Sequence, residues 1–479
     1  MSLPGIKNNS AKVLVLAILA LTATTIPHAF AVQREVGPGQ THTTIGACIT
    51  AASAGDICNV HEATYTQTVT INKDITVQAN TGDTPTIDLA AGGIGVIISA
   101  SGATFSGIEV KNYGSASSGQ AGIFINSGVT RVTISGAIVS GGYGTGIYAR
   151  GSNGPLLIEN CQVYGALQQT SGSGLNGDGI VLLFSTSSDN TFPNGEIIRN
   201  CAVHDNQIDG TKASGSYVTI EDSNIYSNVS TLGAHSDGLQ MLGNGQWDHL
   251  RLINNIFRNH TQNIFLECRT DLPCEDIEIY GNKIYNDRGV VNGQNMDVQV
   301  PAGFSGLIFP QPAECKDAKV YNNTFGRHSG IAVLWTSCST GTNEFKNNII
   351  QNDFGNGMLA GGTLGCPEWA SGTMDYNHWD MPNPPRYVIA CSASGFHRTL
   401  AQFQAASTGL ERHGSSGAAS SASENFGSVR APGLPLPAPY NRDATGNIRG
   451  ADGVWDRGAF EFVVPSRPNP PQNLGPAAP

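Results

Sequence analysis

The sequence predicts an all-β protein that folds as a right-handed parallel β-helix, a solenoid of stacked coils made of short strands. Three observations predict it: a six-residue pattern recurs along the chain, a second strand that opens with glycine follows many copies, and the composition favours strands and tight turns. Glycine accounts for 59 of the 479 residues, 39 % are hydrophobic and only 13 % are charged. This balance is typical of short strands joined by turns and differs from that of a disordered chain.

The six-residue pattern has apolar residues at both ends and a pair of mostly polar or small residues in its middle. Nine copies occur with a mean spacing of 30 residues, and single steps range from 22 to 41. They read FSGIEV, ISGAIV, IENCQV, IRNCAV, IEDSNI, LINNIF, IYGNKI, VYNNTF and FKNNII, beginning at Phe105, Ile134, Ile158, Ile198, Ile220, Leu252, Ile279, Val320 and Phe345. A repeat of constant length does not fit this variation, whereas a solenoid can lengthen its turns while its strands keep register.

The fourth position of the pattern forms a column of its own. Four consecutive copies carry asparagine there: Asn255, Asn282, Asn323 and Asn348. Because stacked coils lie about 4.8 Å apart, these side chains are predicted to form an asparagine ladder that bonds coil to coil. Cys161 and Cys201 occupy the same column in neighbouring copies, so a disulfide between the two coils is predicted.

The N-terminus has the pattern of a signal peptide. Lys7 and Lys12 precede the apolar run 13–21, and Ala29-Phe30-Ala31 fits a small-x-small cleavage site, so the mature chain is expected to start near Val32. The alternative is an N-terminal membrane anchor, but the run is too short to span a bilayer and no later segment is long enough. Export makes all ten cysteines candidates for disulfides: Cys48, Cys58, Cys161, Cys201, Cys268, Cys274, Cys315, Cys338, Cys366 and Cys391.

The domain organisation follows from these segments. Residues 32–406 are predicted to form the β-helix, whose open N-terminal end is closed by a short amphipathic helix within 43–56 and tied down by a Cys48–Cys58 bridge. Residues 407–462 are expected to pack on the helix end as a loop-rich segment, and 463–479 to form a Pro-rich flexible tail. A capped solenoid needs no partner, so a monomer is expected.

Two segments resemble a known group of proteins. GDICNVHEATYTQTVTINKDITVQA (55–79) looks like the opening coil of secreted right-handed β-helix proteins of the pectate-lyase-like superfamily. DATGNIRGADGVWDRGAFEF (443–462) looks like the closing segment of bacterial members, the choice-of-anchor Q region. The resemblance implies a secreted bacterial protein of this fold. It does not choose an activity, because the superfamily includes lyases, hydrolases, epimerases, esterases and adhesins.

The candidate site begins with an aspartate before the glycine of three consecutive second strands: Asp178, Asp209 and Asp237. Such a column places neighbouring carboxylates about 5 Å apart. Three carboxylates that close would bind Ca²⁺ or raise a pKa, so they are candidate metal ligands and candidate catalytic groups. The alternative is ordinary Asp-Gly turn chemistry.

Other polar residues extend this surface. Strand alternation points Lys212 outward beside Gln240, and His235 lies two residues before Asp237. Lys212 and His235 are therefore candidate bases, while Gln240 is a candidate substrate contact. The next coils add three further candidate substrate contacts: Glu267, Arg269 and Trp247.

The predicted function is that of an extracellular polysaccharide lyase that cleaves a uronate-containing polymer by β-elimination. This reaction needs a base and a cation, Arg269 or Ca²⁺, to neutralise the substrate carboxylate. One alternative is a glycoside hydrolase that uses the three aspartates, and another is a non-catalytic carbohydrate-binding or surface protein. No organic cofactor is expected. The net charge of −11 and the lack of a basic stripe argue against nucleic-acid binding.

Overall fold

The computed structural model describes residues 31–90, 92–151, 154–169, 175–186, 195–228, 236–242, 248–268, 274–286, 290–291, 294–295, 305–309, 315–326, 331–335, 341–351, 356–360, 373–381, 388–391, 395–407, 409–418 and 432–461. Over these residues the chain is a right-handed parallel β-helix, so the predicted fold class is confirmed. Three sheets of 13 strands each run along the solenoid, and the chain passes through them in the order A, B, C.

The strands of each sheet come from successive coils. Sheet A consists of Gln33–Val36, Ile57–Val60, Thr76–Ala79, Thr104–Ser106, Val132–Ser135, Leu156–Glu159, Glu196–Arg199, Val218–Glu221, Arg251–Ile253, Glu278–Tyr280, Lys319–Tyr321, Glu344–Lys346 and Met374–Asp375. Sheet B consists of Thr64–Tyr65, Thr86–Asp88, Glu109–Lys111, Ile138–Ser140, Gln162–Tyr164, Ala202–His204, Asn224–Tyr226, Ile256–Arg258, Lys283–Tyr285, Thr324–Gly326, Ile349–Gln351, His378–Asp380 and Ser415–Ser416.

Sheet C carries the longer strands. It consists of Val69–Ile71, Val96–Ile98, Gln120–Ile125, Gly144–Arg150, Ile180–Thr186, Thr211–Ser216, Asp237–Met241, Gln262–Leu266, Ser305–Phe309, Ile331–Trp335, Asn356–Ala360, Ile389–Cys391 and Gly395–His397. The last two of these strands pair antiparallel. Two short pairs lie outside the three sheets, Cys274–Glu275 with Cys315–Lys316 and Val290–Val291 with Gln294–Asn295.

The six-residue pattern spans the corner between sheets A and B. In all nine copies the third residue has a left-handed backbone, with φ between 48° and 70°. Only glycine, asparagine and aspartate adopt this conformation at low cost, which explains why the middle pair begins with one of them. The first and last residues point into the solenoid. Ile134, Ile158, Ile198 and Ile220 stack in register at no more than 1 % exposure.

The predicted asparagine ladder is confirmed. The backbone N–H and the Nδ2 of Asn282 both donate to Oδ1 of Asn323, at 2.9 and 3.0 Å, and the same two bonds join Asn323 to Asn348 at 2.9 and 3.1 Å. The ladder continues to Asn377 and ends at Glu411, whose carboxyl accepts from Asn377 Nδ2 at 2.6 Å. The Oδ1 and the Nδ2 of each buried asparagine side chain in the ladder therefore have hydrogen-bond partners inside the core.

The N-terminal cap is also confirmed. Helix α1 (Ile45–Ala51) covers the open end with Ile45, Cys48 and Ile49 buried, and the hydroxyl of Thr44 caps its first turn. A disulfide joins Cys48 to Cys58. At the other end of the chain, helix α2 (Leu400–Ala406) buries Leu400 and Phe403 beside the last coils. None of the helices among the described residues is long and apolar enough to cross a bilayer.

The remaining cysteines give a mixed outcome. Cys268 and Cys274 form a disulfide. The predicted bridge between Cys161 and Cys201 is not formed: both are free, buried thiols. They stack one coil apart and their thiols interact with each other, and Sγ of Cys161 also lies 3.2 Å from the carbonyl oxygen of Glu159. The pairing of Cys315, Cys338, Cys366 and Cys391 lies outside what is described.

The C-terminal segment 432–461 lies against the sides of the later coils. The Tyr440 ring packs edge-on against Tyr280 and Tyr321, each with a centroid distance of 4.9 Å. Arg457 is 3 % exposed and donates to the carbonyl oxygen of Asn377 at 3.0 Å. These contacts follow the corner between sheets A and B. An earlier part of the predicted C-terminal segment lies at the last coil, where Ser415–Ser416 pairs with His378–Asp380.

Candidate functional site

The candidate site lies along the start of the sheet C strands. In the middle coils these strands open with glycine, because the neighbouring coil passes too close for a side chain. A Cβ on Gly210 would lie 2.5 Å from Cγ2 of Ile225 and 2.9 Å from the carbonyl oxygen of Gly238. The residue before the glycine is therefore held at a fixed place in each coil. In three successive coils that residue is an aspartate.

The aspartate column (Asp178, Asp209, Asp237) is bonded from coil to coil. The N–H of Asp209 donates to Oδ1 of Asp178 at 3.3 Å, and the N–H of Asp237 donates to Oδ1 of Asp209 at 2.8 Å. The three residues are 5 %, 2 % and 0 % exposed. Each of the first two carboxyls thus holds the turn of the following coil, which is the role expected of Asp-Gly turn chemistry.

Lys212 reaches back from the outer face of sheet C to two members of this column. Its Nζ lies 2.8 Å from Oδ2 of Asp209 and 3.1 Å from Oδ1 of Asp178. The Lys212 side chain is 17 % exposed, whereas the two carboxylate side chains are 3 % and 7 % exposed. Lys212 is therefore the member of this ion-pair cluster that borders the solvent most.

The electrostatics of the cluster follow from its composition. Burial raises the pKa of Asp209 to about 7, and the charges of Asp178 and Asp237 add to this effect while Lys212 opposes it. Burial alone would lower the pKa of Lys212, but the charges of Asp178 and Asp209 outweigh burial and raise that pKa. Lys212 is therefore an ammonium at neutral pH, and Asp209 is a carboxyl that gains or loses its proton near neutral pH.

A buried polar ladder supports the aspartate column from inside. The backbone N–H and the Nδ2 of Asn206 donate to Oδ1 of Asn228 at 3.1 and 2.8 Å, and Nδ2 of Asn228 lies 2.9 Å from Nε2 of His260. Burial lowers the pKa of His260 to about 4, so the ring is neutral and accepts this bond. A Cβ on Gly210 would lie 2.6 Å from Asn228 Nδ2, and one on Gly238 would lie 2.9 Å from His260 Nδ1. The ladder therefore packs directly beneath the turns that carry Asp209 and Asp237.

The other predicted site residues divide into two groups. Gln240 pairs with Lys212 in register on the next coil, as strand alternation predicts, and Phe265 follows Gln240 in the same outward column. Glu267 directly follows the strand Gln262–Leu266 and is half-buried. His235, Trp247 and Arg269 lie outside the described residues.

The described residues do not form a ready calcium site. No group of three or more His, Cys, Asp or Glu side chains in the described part of the chain is arranged to hold a metal ion. The ammonium of Lys212 takes the position between Asp178 and Asp209 that a cation would need. With this lysine in place, the fit of Ca²⁺ to the aspartate column is poor, and Ca²⁺ binding stays a prediction.

The sequence did not point to the supporting ladder. Asn206 precedes Gly210 by four residues, but Asn228 precedes Gly238 by ten, so no constant spacing links the ladder to the column. Alternation did identify Lys212, because its strand is regular. A cavity of about 280 Å³ lies elsewhere, between the strand His378–Asp380 and helix α2, and contains none of the candidate residues.

A column of aromatic rings on sheet B stacks from coil to coil. His204 stacks between Tyr164 and Tyr226, with centroid distances of 5.1 and 4.6 Å and nearly parallel planes. The guanidinium of Arg258 covers the far face of the Tyr226 stack at 4.6 Å from the ring centroid. The faces of His204 and Tyr226 are occupied by these neighbours, so the column stabilises the coils.

The comparison with protein-family models agrees with the fold. A family model described as a right-handed beta helix region matches residues 66–257. No curated protein matches the sequence. A crystal structure of pectate lyase Pel9A is similar at 14 % identity and a TM-score of 0.46, covering 90 % of this chain and 96 % of that chain.

Two further solved structures illustrate the range of these similarities. A rhamnogalacturonan lyase is similar at 14 % identity and a TM-score of 0.44, covering 68 % of this chain and 82 % of that chain. A GH136 lacto-N-biosidase from Eubacterium ramulus is similar at 11 % identity and a TM-score of 0.40, covering 75 % of this chain and 65 % of that chain. Similarity at this level does not assign an activity.

Proposed function

We propose that this chain is a secreted enzyme that cleaves an acidic, uronate-containing polysaccharide by β-elimination, with Lys212 and the aspartate column as its reaction centre. The observation that carries the proposal is the position of Lys212. Its side chain borders the solvent on the outer face of sheet C, and its ammonium contacts two buried carboxylates. A cation on an outward strand, aimed by groups behind it, suits the binding of a substrate carboxylate.

Lys212 is assigned the role of neutralising the substrate. Since its pKa is raised, it acts as a cation and not as the proton acceptor. Pairing with the uronate carboxylate makes the adjacent C–H more acidic and stabilises the negative charge that develops when its proton leaves. This differs from the base role for which the sequence made Lys212 and His235 candidates.

Asp209 is assigned the role of proton acceptor. When Lys212 turns toward a substrate carboxylate, it uncovers Oδ2 of Asp209, and the loss of the neighbouring ammonium raises the pKa of Asp209 further, which makes its carboxylate a stronger proton acceptor. The proton from the C–H bond passes to Asp209, and the electron pair forms the carbon–carbon double bond. The glycosidic C–O bond breaks, and its oxygen leaves with a proton from Asp209 or from water.

The net negative charge of the site means that binding a polyanionic substrate requires further cations. Three carboxyls and one ammonium leave an excess of negative charge, which disfavours a polyanion. Arg269 and His235 are the predicted additional cations, and Ca²⁺ is the predicted ion. No step above depends on the ion.

The experiment is a product assay on pectate, alginate and glycosaminoglycans, run with added Ca²⁺ and with a chelator. The proposal expects unsaturated uronate ends from one of these polymers and at least a hundredfold loss in Lys212→Met, the scale of removing one electrostatic stabiliser. Lys319→Met is the matched control, because Lys319 pairs with Glu278 on sheet A, away from the column. Absence of unsaturated product from the whole panel with folded protein contradicts the proposal.

A second candidate function is glycoside hydrolysis, and one observation favours it. A carboxyl with its pKa raised to about 7 lies next to a second carboxylate, held by the same lysine, as in an acid with its partner base or nucleophile. In the same assay this function gives new reducing ends without unsaturation. Binding of a polysaccharide without turnover would support the third alternative, a non-catalytic carbohydrate-binding or surface protein.

A further inference from the structure

We infer that cleavage of the chain after Ala31 creates an α-ammonium on Val32 that Asp56 binds as an ion pair, so that processing locks the first coil of the solenoid. The acceptor is already in place. The backbone nitrogen of Val32 lies 2.9 Å from Oδ1 of Asp56. That distance suits a charged N⁺–H···O⁻ hydrogen bond as well as a hydrogen bond from a neutral amide N–H.

The surrounding donors hold Asp56 as a carboxylate anion. It is 4 % exposed, and its second oxygen accepts from the backbone N–H of Ser53 at 2.9 Å and from Nε and Nη2 of Arg34 at 3.0 and 2.9 Å. Oδ1 is left for Val32. The hydrogen bonds from the Ser53 and Val32 backbones lower the pKa of Asp56 to about 2, so it is ionised throughout the physiological range.

The bond to be cleaved is accessible. Ala31 is exposed and Val32 is 49 % exposed. The residues Ala29-Phe30-Ala31 provide the small-x-small sequence that an exported-protein endopeptidase recognises. Hydrolysis adds water across the Ala31–Val32 amide: the carbonyl of Ala31 gains the hydroxyl, and the nitrogen of Val32 gains a hydrogen and is protonated.

Cleavage changes the chemistry at this position without moving it. Before cleavage the nitrogen is a neutral amide with one proton to donate, and afterwards it is a cation with three. The carbonyl oxygen of Val32 is also fixed, because it accepts from the N–H of Ile57 at 3.0 Å. The new terminus therefore anchors the strand Gln33–Val36, which pairs with Ile57–Val60 at the end of sheet A.

The experiment uses the full chain expressed with export. Intact mass and N-terminal sequencing should place the mature terminus at Val32. The rate of reaction of the α-amine with an amine-reactive ester at pH 7.5 should then be at least about tenfold slower in the folded protein than in Asp56→Asn. Each unit by which the ion pair raises the amine pKa above its usual 7.7–8.0 removes about tenfold of the reactive neutral form.

Matched measurements separate the possible outcomes. Arg34→Gln removes the partner of Oδ2 only, so its α-amine should react nearly as slowly as in the wild type. If Asp56→Asn does not fold, the wild type in urea supplies the fast reference rate. A mature terminus at another residue overturns the inference, and so does a folded wild type whose α-amine reacts as fast as in urea.

Discussion

The ammonium of Lys212 lies 2.8 Å from Oδ2 of Asp209, three residues earlier in the same coil. Both groups are largely withdrawn from water, so removal of the lysine side chain leaves two buried carboxylates without their cation, whereas Lys212 keeps Asp178 as a partner if Asp209 is replaced. This contact links the regular strand that carries Lys212 to the turn that carries Asp209, and it is the basis of the first two predictions.

Replacement of Lys212 by methionine is expected to destabilise the fold by about 3–5 kcal/mol, the usual cost of breaking a buried pair by removing one partner. The measurement is the free energy of unfolding in urea at pH 7. Lys319→Met is expected to cost at most about 1 kcal/mol, because Lys319 is 41 % exposed and its pair with Glu278 is screened by water. Equal stability of the two variants would rule out a buried ion pair at Lys212.

The contribution of Asp209 to stability is expected to fall as the pH rises from about 4 to 7. The folded pKa of Asp209 is raised from 3.8 to about 7, so the folded state binds this proton more tightly than the unfolded chain. Its contribution is fully present below the unfolded pKa and is lost as the pH rises through the folded pKa. In Asp209→Asn the fall should be smaller by at least about 1.4 kcal/mol, the equivalent of one pKa unit. Identical pH profiles for wild type and variant would contradict the raised pKa.

Gly210→Ala is expected to destabilise the protein, and Gly46→Ala is not. A Cβ on Gly210 meets Ile225, Asn228 and the backbone of the next coil, all within 3 Å, whereas a Cβ on Gly46 in helix α1 meets nothing within 4 Å. Overpacking of this kind costs about 1–3 kcal/mol, while glycine to alanine within a helix stabilises by up to about 1 kcal/mol. Thermal melting of the two variants measures the difference, and a neutral Gly210→Ala would show that the coils are less tightly packed there.

The solenoid could be predicted because its features repeat. The third residue of each pattern copy needs a left-handed backbone and the fourth points inward, so glycine, asparagine and aspartate recur at fixed positions, as at Asn254 and Asn255. The Cys161–Cys201 bridge was wrong, although the shared column position does bring the two side chains together: both residues are free thiols that interact with each other and lie near backbone carbonyls. Equal column positions place two cysteines side by side but do not determine whether they are oxidised.

The candidate site could be predicted only in part. Alternation along one strand placed Lys212 outward, and the repeated Asp-Gly placed Asp209 in the column. The ion pair between them depends on the conformation of the turn that brings the Lys212 side chain back to Asp209. The spacing of the sequence repeat carries no information about that conformation. The support from Asn228 and His260 was missed because the segments that separate ladder and column differ in length from coil to coil.

Asn323→Ala is expected to cost about 2–5 kcal/mol. Asn323 accepts from both the backbone N–H and the Nδ2 of Asn282 and donates to Asn348 and to the carbonyl of Ile279, all in the core. Removing it leaves several buried groups unsatisfied at about 1–3 kcal/mol each, partly relieved by relaxation. Gln162→Ala, at an exposed position of sheet B, should stay within about 0.5 kcal/mol of the wild type. Equilibrium unfolding of both variants makes the comparison, and similar costs would contradict a stabilising ladder.

The most direct test of the reaction centre is the rate of double-bond formation from a uronate polymer, measured side by side for the wild type, Lys212→Met and Lys319→Met under conditions in which all three are folded. The account predicts unsaturated product from the wild type and Lys319→Met and at least a hundredfold slower formation by Lys212→Met. An unchanged rate in Lys212→Met, or products with saturated ends only, would contradict it.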